Sequence, residues 1–119
     1  MKYLARIIAG KGRGAKLGVP TLNFEIPKNF LYAPGIYAGI IYIENMPHIA
    51  AIHFGPIPTF NEAEPVLEAA LAKGLLKKRP VTAEIELLHY IREIQNFTNS
   101  EELVKTIASD LAIAQGLLA

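Results

Sequence analysis

Apolar and polar positions alternate along most of this chain with the two-residue period of a β-strand. Residues 3–10, YLARIIAG, are rich in β-formers and end at Gly10, which predicts a first strand. PTLNFEI at 20–26 predicts a second, with Leu22, Phe24 and Ile26 on one face and Thr21, Asn23 and Glu25 on the other. IYAGIIYI at 36–43 is apolar on both faces, as in a strand covered on each side. The turn ENMP joins it to HIAAIHFG at 48–55, which predicts a hairpin. PIPTFNEAEP at 56–65 carries three prolines and predicts a loop. VLEAALA at 66–72 stays open between a helix, favoured by its Ala and Leu content, and a short strand between turns. VTAEIELLHYIR at 81–92 is the clearest strand: Ala83, Ile85, Leu87 and Ile91 alternate with Glu84, Glu86 and Arg92.

The period lengthens near the end. Asn99 or Ser100 can cap a helix whose first turn holds Glu101 and Glu102, where the helix dipole favours acids. Leu103, Ile107, Leu111, Ala114 and Leu118 then fall on one stripe. Five or six strands joined by tight turns, followed by one helix, describe a small antiparallel barrel with the helix over one opening or flank. Closure removes edge strands that so apolar a sheet would otherwise expose.

Composition narrows the class. A chain of 119 residues suits one domain, 1–119, and 51% hydrophobic with 19% charged residues makes it globular. The net charge of +1 gives no global attraction for nucleic acid or an anionic membrane, so any anion site must be local. The absence of cysteine excludes disulfides, thiolate zinc sites and cysteine nucleophiles. The opening MKYLARIIAG has a short apolar stretch without a signal-peptide cleavage pattern, and no run approaches the ~18 apolar residues of a membrane span. The expectation is a soluble cytoplasmic protein.

The passage GKGRGAKLGVPTLN at 10–23 carries the candidate chemistry. Gly10, Gly12, Gly14 and Gly18 let the backbone approach a ligand, successive N–H groups can cup an anion, and Lys11, Arg13 and Lys16 add charge at the rim. A solvated hairpin loop has the same composition. The spacing is neither G-x-G-x-x-G before a helix nor the P-loop pattern. Next to it, Thr21 and Asn23 share a strand face. A hydroxyl and an amide oxygen there suit Mg²⁺ held jointly with substrate phosphates, and equally suit the wet side of a strand. His48, His53 and His89 lack ligand spacing and read as strand histidines with a satisfied hydrogen bond.

These residues resemble, in order, the motifs of the riboflavin kinase (flavokinase) family. GKGRGAKLGVPTLNFEIP resembles its glycine-rich opening with a P-T-x-N element, and PGIYAG (34–39) its G-[VI]-Y-x-G strand. AAIHFGPIPTF (50–60) resembles the family's I-G-x-x-P-T-F segment, and LEAAL (67–71) falls at its L-E-x-H-[LI]. IELLHYIREIQNF (85–97) resembles the strand ending L-R-x-x-x-x-F, and SEELVKTIASDLAIAQ (100–115), with Asp110, the terminal helix. The resemblance covers almost the whole chain. It implies a six-stranded antiparallel Greek-key barrel with a C-terminal helix. It also implies an ATP:riboflavin 5′-phosphotransferase that makes FMN, dependent on Mg²⁺ or another divalent metal, as a stand-alone monomeric kinase. By the same resemblance Gly10, Gly12, Arg13, Gly14 and Lys16 would cover the ATP phosphates. Thr21 and Asn23 would bind ATP and metal, Glu68 would be the catalytic base, and Arg92 and Phe97 would contact the flavin.

The chain departs from the family after Glu68, where EAALAKGLLKKRP is about two residues short of the usual E-x-H-L-x-D-F-x-x-D-L-Y-G. The usual histidine is Ala70, the Arg before P-T-F is Ile57, and the acid of the L-R-x-E segment is Ile94. Two other readings therefore accompany the kinase: a weak or inactive relative that binds flavin or nucleotide, and a barrel that packs against another protein.

Overall fold

The structure is a computed structural model describing residues 1–9, 21–60, 62–72 and 80–119. Six strands, β1 (Tyr3–Ile8), β2 (Thr21–Phe24), β3 (Gly35–Ile43), β4 (Met46–Ile57), β5 (Glu62–Ala70) and β6 (Thr82–Arg92), precede one helix, α1 (Ser100–Leu118). The strands close into an antiparallel barrel in the order β1-β2-β5-β4-β3-β6. Three consecutive strands, β3 to β5, return the chain to the side of β2, which is a Greek key. The expected six-stranded barrel with a C-terminal helix is the fold observed.

Alternation sets the inside of the barrel. Leu22, Phe24, Ile41, Ile52, Leu67 and Ile85 are buried in one core with Ala69 and Leu71. Aromatic rings close one end of it, with Phe30 edge-on to Tyr3 and Phe54 at 5.1 and 4.9 Å between centroids. The hairpin between β3 and β4 is tighter than ENMP implies. Glu44 and Asn45 alone turn it, both at positive φ, and Ile43 pairs with Met46.

Residues 66–72 resolve as strand through Ala70, against their helical propensity, because β2 and β4 pair with them on both sides. The loop expected at 56–65 is shorter. Pro56 and Ile57 extend β4, a 3₁₀ turn spans Pro58–Phe60, and β5 begins at Glu62. Prolines are tolerated here because the ladder is irregular: register shifts between Gly55 and Ile57, and Pro56 and Pro65 make no register pair.

The helix follows its expected cap and stripe. Asn99 is its cap, with an extended backbone and Oδ1 accepting the Glu102 N–H at 2.9 Å. Its inner face keeps the expected stripe and adds Val104 and Asp110 to it. Val104, Ile107 and Leu111 pack on Ala51 and Ala70, which point out of the barrel. The deepest helical side chains are Asp110 and Ala114. The expected stripe from Leu103 to Leu118 is thus the face observed, with an acid added at the centre of the contact. The helix covers the flank of β3, β4 and β5.

Candidate active site

Register brings one residue from each strand into a single row. Ile8 pairs with Asn23, Asn23 with Glu68, Glu68 with His53, His53 with Ile36, and Ile36 with Arg92. Directly opposed residues on adjacent strands hold their side chains side by side, with Cβ atoms about 4.5–5.5 Å apart. Two bulges in β6, between the partners of Ile36 and Tyr37 and of Ala38 and Gly39, offset each other, so Arg92 keeps the face that strict alternation would give it. All six side chains line one cleft of about 450 Å³ between the sheet and α1, a size that suits a small organic ligand. Thr21 lies on the β2 face of Asn23, one pleat away, and lines the same cleft.

The far wall comes from the loop after β6 and from the helix. Phe97 joins Leu103, Val104 and Ile107 there, with Asp110 behind Arg92. The Arg92 guanidinium donates from Nε to Asp110 Oδ1 at 3.0 Å and from Nη2 to Oδ2 at 2.8 Å. Nη1 donates to the Glu93 carbonyl at 2.8 Å. Its Cζ lies 5.8 Å from the centre of the Phe97 ring. With three donors engaged, Arg92 offers the cleft chiefly a planar, charge-balanced surface. Asp110 is 3% exposed, so the pair is held where water competes little.

His53 is half-buried in the same row. Its Nε2 lies 2.9 Å from the Gly55 carbonyl and 3.1 Å from that of Pro56. Two acceptors on one nitrogen require it to carry the hydrogen. Burial pushes the imidazole below the ordinary histidine range, against the opposing pull of the two carbonyls. The sequence reading of a satisfied strand histidine holds for His53, but its place beside Glu68 emerges only from the register.

Of the expected site residues, Thr21, Asn23, Glu68, Arg92 and Phe97 converge on the cleft. Gly10, Gly12, Arg13, Gly14 and Lys16 lie outside the described residues, as does most of the shortened stretch after Glu68. All three departures line this cleft: Ile57 and Ile94 make its wall apolar, and Ala70 also packs against the helix. Among the described residues no three of His, Cys, Asp and Glu converge as a metal site. Thr21 and Asn23 nonetheless fit a hard cation. They place two neutral oxygen donors on one strand face, half-buried, beside the Glu68 carboxylate, leaving the remaining ligands to water and phosphate.

The closed barrel, its flanking helix and an outward cleft edged by Asn23, Glu68 and Arg92 define a domain with room for a small ligand. The family model for riboflavin kinase (flavokinase) matches residues 1–118, and the chain belongs to that family. It is 32% identical over 113 residues to the bifunctional riboflavin kinase/FMN adenylyltransferase of Buchnera aphidicola, covering 92% of this chain and 36% of that protein. It is 29% identical over 107 residues to the RNA-binding riboflavin kinase of Bacillus subtilis, covering 89% of this chain and 46% of that protein. The chain therefore spans less than half the length of either relative. A crystal structure of a macrolide-efflux protein from Streptococcus pneumoniae shares the fold, with a TM-score of 0.79 at 22% identity over 96% of this chain and 38% of that one.

Proposed function

We propose that this domain transfers the γ-phosphate of ATP to the ribityl 5′-hydroxyl of riboflavin, giving FMN and ADP. The observation that carries the reading is the direct pairing of Asn23 with Glu68 at the edge of a cleft large enough for a flavin tail. Glu68 takes the proton of the 5′-hydroxyl as its oxygen attacks the γ-phosphorus, and the bond to the ADP oxygen breaks. Thr21 and Asn23 would hold Mg²⁺, or another divalent ion, against the nucleotide phosphates. The ion would neutralise charge on the transferring group. Gly10, Gly12, Arg13, Gly14 and Lys16 would cover those phosphates. Phe97 and the face of Arg92 would flank the isoalloxazine ring, which needs an apolar, neutral surface. The Arg92–Asp110 pair cancels its own charge and so meets that need.

The family match across residues 1–118 favours turnover over a relative that only binds flavin. We take the substrates to be small molecules only: at a net charge of +1 the chain has no general attraction for RNA, whatever the Bacillus relative's name records. No helix among the described residues is long and apolar enough to cross a membrane, and a cytoplasmic monomer accords with substrates of that compartment. The test is anaerobic incubation with riboflavin, ATP and Mg²⁺, followed by chromatography for FMN. FMN that forms with wild type and not with Glu68→Gln supports the kinase. Flavin fluorescence quenching with no FMN from wild type overturns it.

A further inference from the structure

We infer that His53 is a positioning residue that holds the flavin wall of the cleft in shape, an inference that rests on the kinase reading above. Its Nε2–H is shared between the carbonyls of Gly55 and Pro56, two and three residues further along β4. Those carbonyls belong to the bulge where β4 loses register with β5. The backbone there is unusual: Gly55 has φ +125°, and a Cβ on it would lie 2.6 Å from Ile94 Cδ1 and 2.9 Å from Pro34 Cβ. The bulge is thus pinned from within by His53, and Ile94 and Pro34 fill the space that a side chain at Gly55 would need.

From this bulge the chain runs straight into the turn Pro58–Phe60. Thr59 Oγ1 accepts the N–H of Phe97 at 3.0 Å. Phe97 in turn lies over Arg92, which Asp110 holds. One side chain at the start of this series, deep in the row between Glu68 and Ile36, therefore fixes the backbone that carries Ile57 and Thr59 and, through Thr59, the ring of Phe97. Asn23 and Thr21 stand on the opposite side of Glu68, and among the described residues no hydrogen bond of the series ends on them. His53 acts on the flavin half of the cleft and leaves the nucleotide half alone.

The experiment compares wild type, His53→Leu, His53→Gln and Thr59→Val. It measures riboflavin Kd by fluorescence quenching, KM for riboflavin and for ATP, and amide hydrogen exchange at Gly55, Ile57 and Thr59. Loss of one buried, shared hydrogen bond corresponds to about a tenfold change in binding. His53→Leu is expected to raise riboflavin Kd and KM about tenfold and to speed exchange at those amides, with ATP KM within about twofold of wild type. Gln carries a donor at nearly the reach of Nε2 and is expected to restore most of both. Thr59→Val breaks the series one step later and is expected to raise riboflavin KM without faster exchange at Gly55. Equal changes in both KM values, unchanged riboflavin binding in His53→Leu, or no rescue by Gln would overturn the assignment. If His53→Leu does not fold, the Gln and Val variants decide it: riboflavin KM unchanged in Thr59→Val overturns it. A wild-type chain that binds no riboflavin overturns the kinase reading and this inference together.

Discussion

Arg92 on β6 and Asp110 on α1 are joined by two parallel hydrogen bonds, of 3.0 and 2.8 Å, across the gap between barrel and helix. This fork fastens the helix to the sheet at the same point where the cleft is walled. It also explains an acid that is 3% exposed in a helix face otherwise made of Val104, Ile107, Leu111 and Ala114. Removing Arg92 leaves the Asp110 charge buried, which costs about 3–5 kcal/mol. Arg92→Met should therefore lower the unfolding free energy measured by urea titration by that amount, and adding Asp110→Leu should recover most of it.

Glu68 is expected to act on rate and not on flavin binding. A general base contributes about 10²–10⁴-fold. Glu68→Gln should lower kcat within that range while riboflavin fluorescence quenching gives an unchanged Kd. A Kd that rises in parallel with the fall in kcat would assign the carboxylate to binding.

Asn23 should govern metal dependence. With its amide oxygen gone, Thr21 alone remains on that strand face to share a cation with phosphate oxygens. Asn23→Ala should raise the Mg²⁺ concentration for half-maximal FMN formation by at least about tenfold and leave riboflavin Kd unaltered. Titration of activity against Mg²⁺ at saturating riboflavin reads this directly.

His53 gives the fold an acid sensitivity of known sign. Burial lowers its folded-state pKa below the unfolded value of about 6.5. Above that pH neither state binds the proton and the imidazole costs nothing. Below it the unfolded chain takes up a proton that the folded chain resists, so stability falls as pH drops through the folded value, by at most about 1.4 kcal/mol per pH unit. Urea unfolding at pH 7.5 and 5.0 should show this decrement in wild type and a smaller one in His53→Gln.

Most of the strand framework was legible because a strand with one covered face alternates and β3, covered on both, is apolar throughout. Thr21–Phe24 and Ala83–Leu87 follow that rule closely. Segment 66–72 was ambiguous because alanines serve both states, and only pairing with β2 and β4 decides it. The helix face was legible as a stripe, but a hydrophobic pattern has no means of including Asp110, whose burial depends on an arginine 18 residues earlier. Within the cleft, Thr21, Asn23, Glu68, Arg92 and Phe97 came from motif resemblance, and Thr21 and Asn23 from alternation as well. The part played by His53 was beyond reach. Its neighbours in space, Glu68 and Ile36, are 15 and 17 residues away, and pattern along one strand says nothing about which residue of the next strand stands opposite.

The register row from Ile8 to Arg92 makes reactivity a proof of correct assembly. Were β2 or β5 to slide by a single residue, its contribution would be exchanged for a greasy neighbour that belongs inside: Leu22 or Phe24 for Asn23, Leu67 or Ala69 for Glu68. A misaligned barrel would be inert as well as unstable, so mutations that permit sliding are exposed to selection through lost turnover before they are exposed through aggregation.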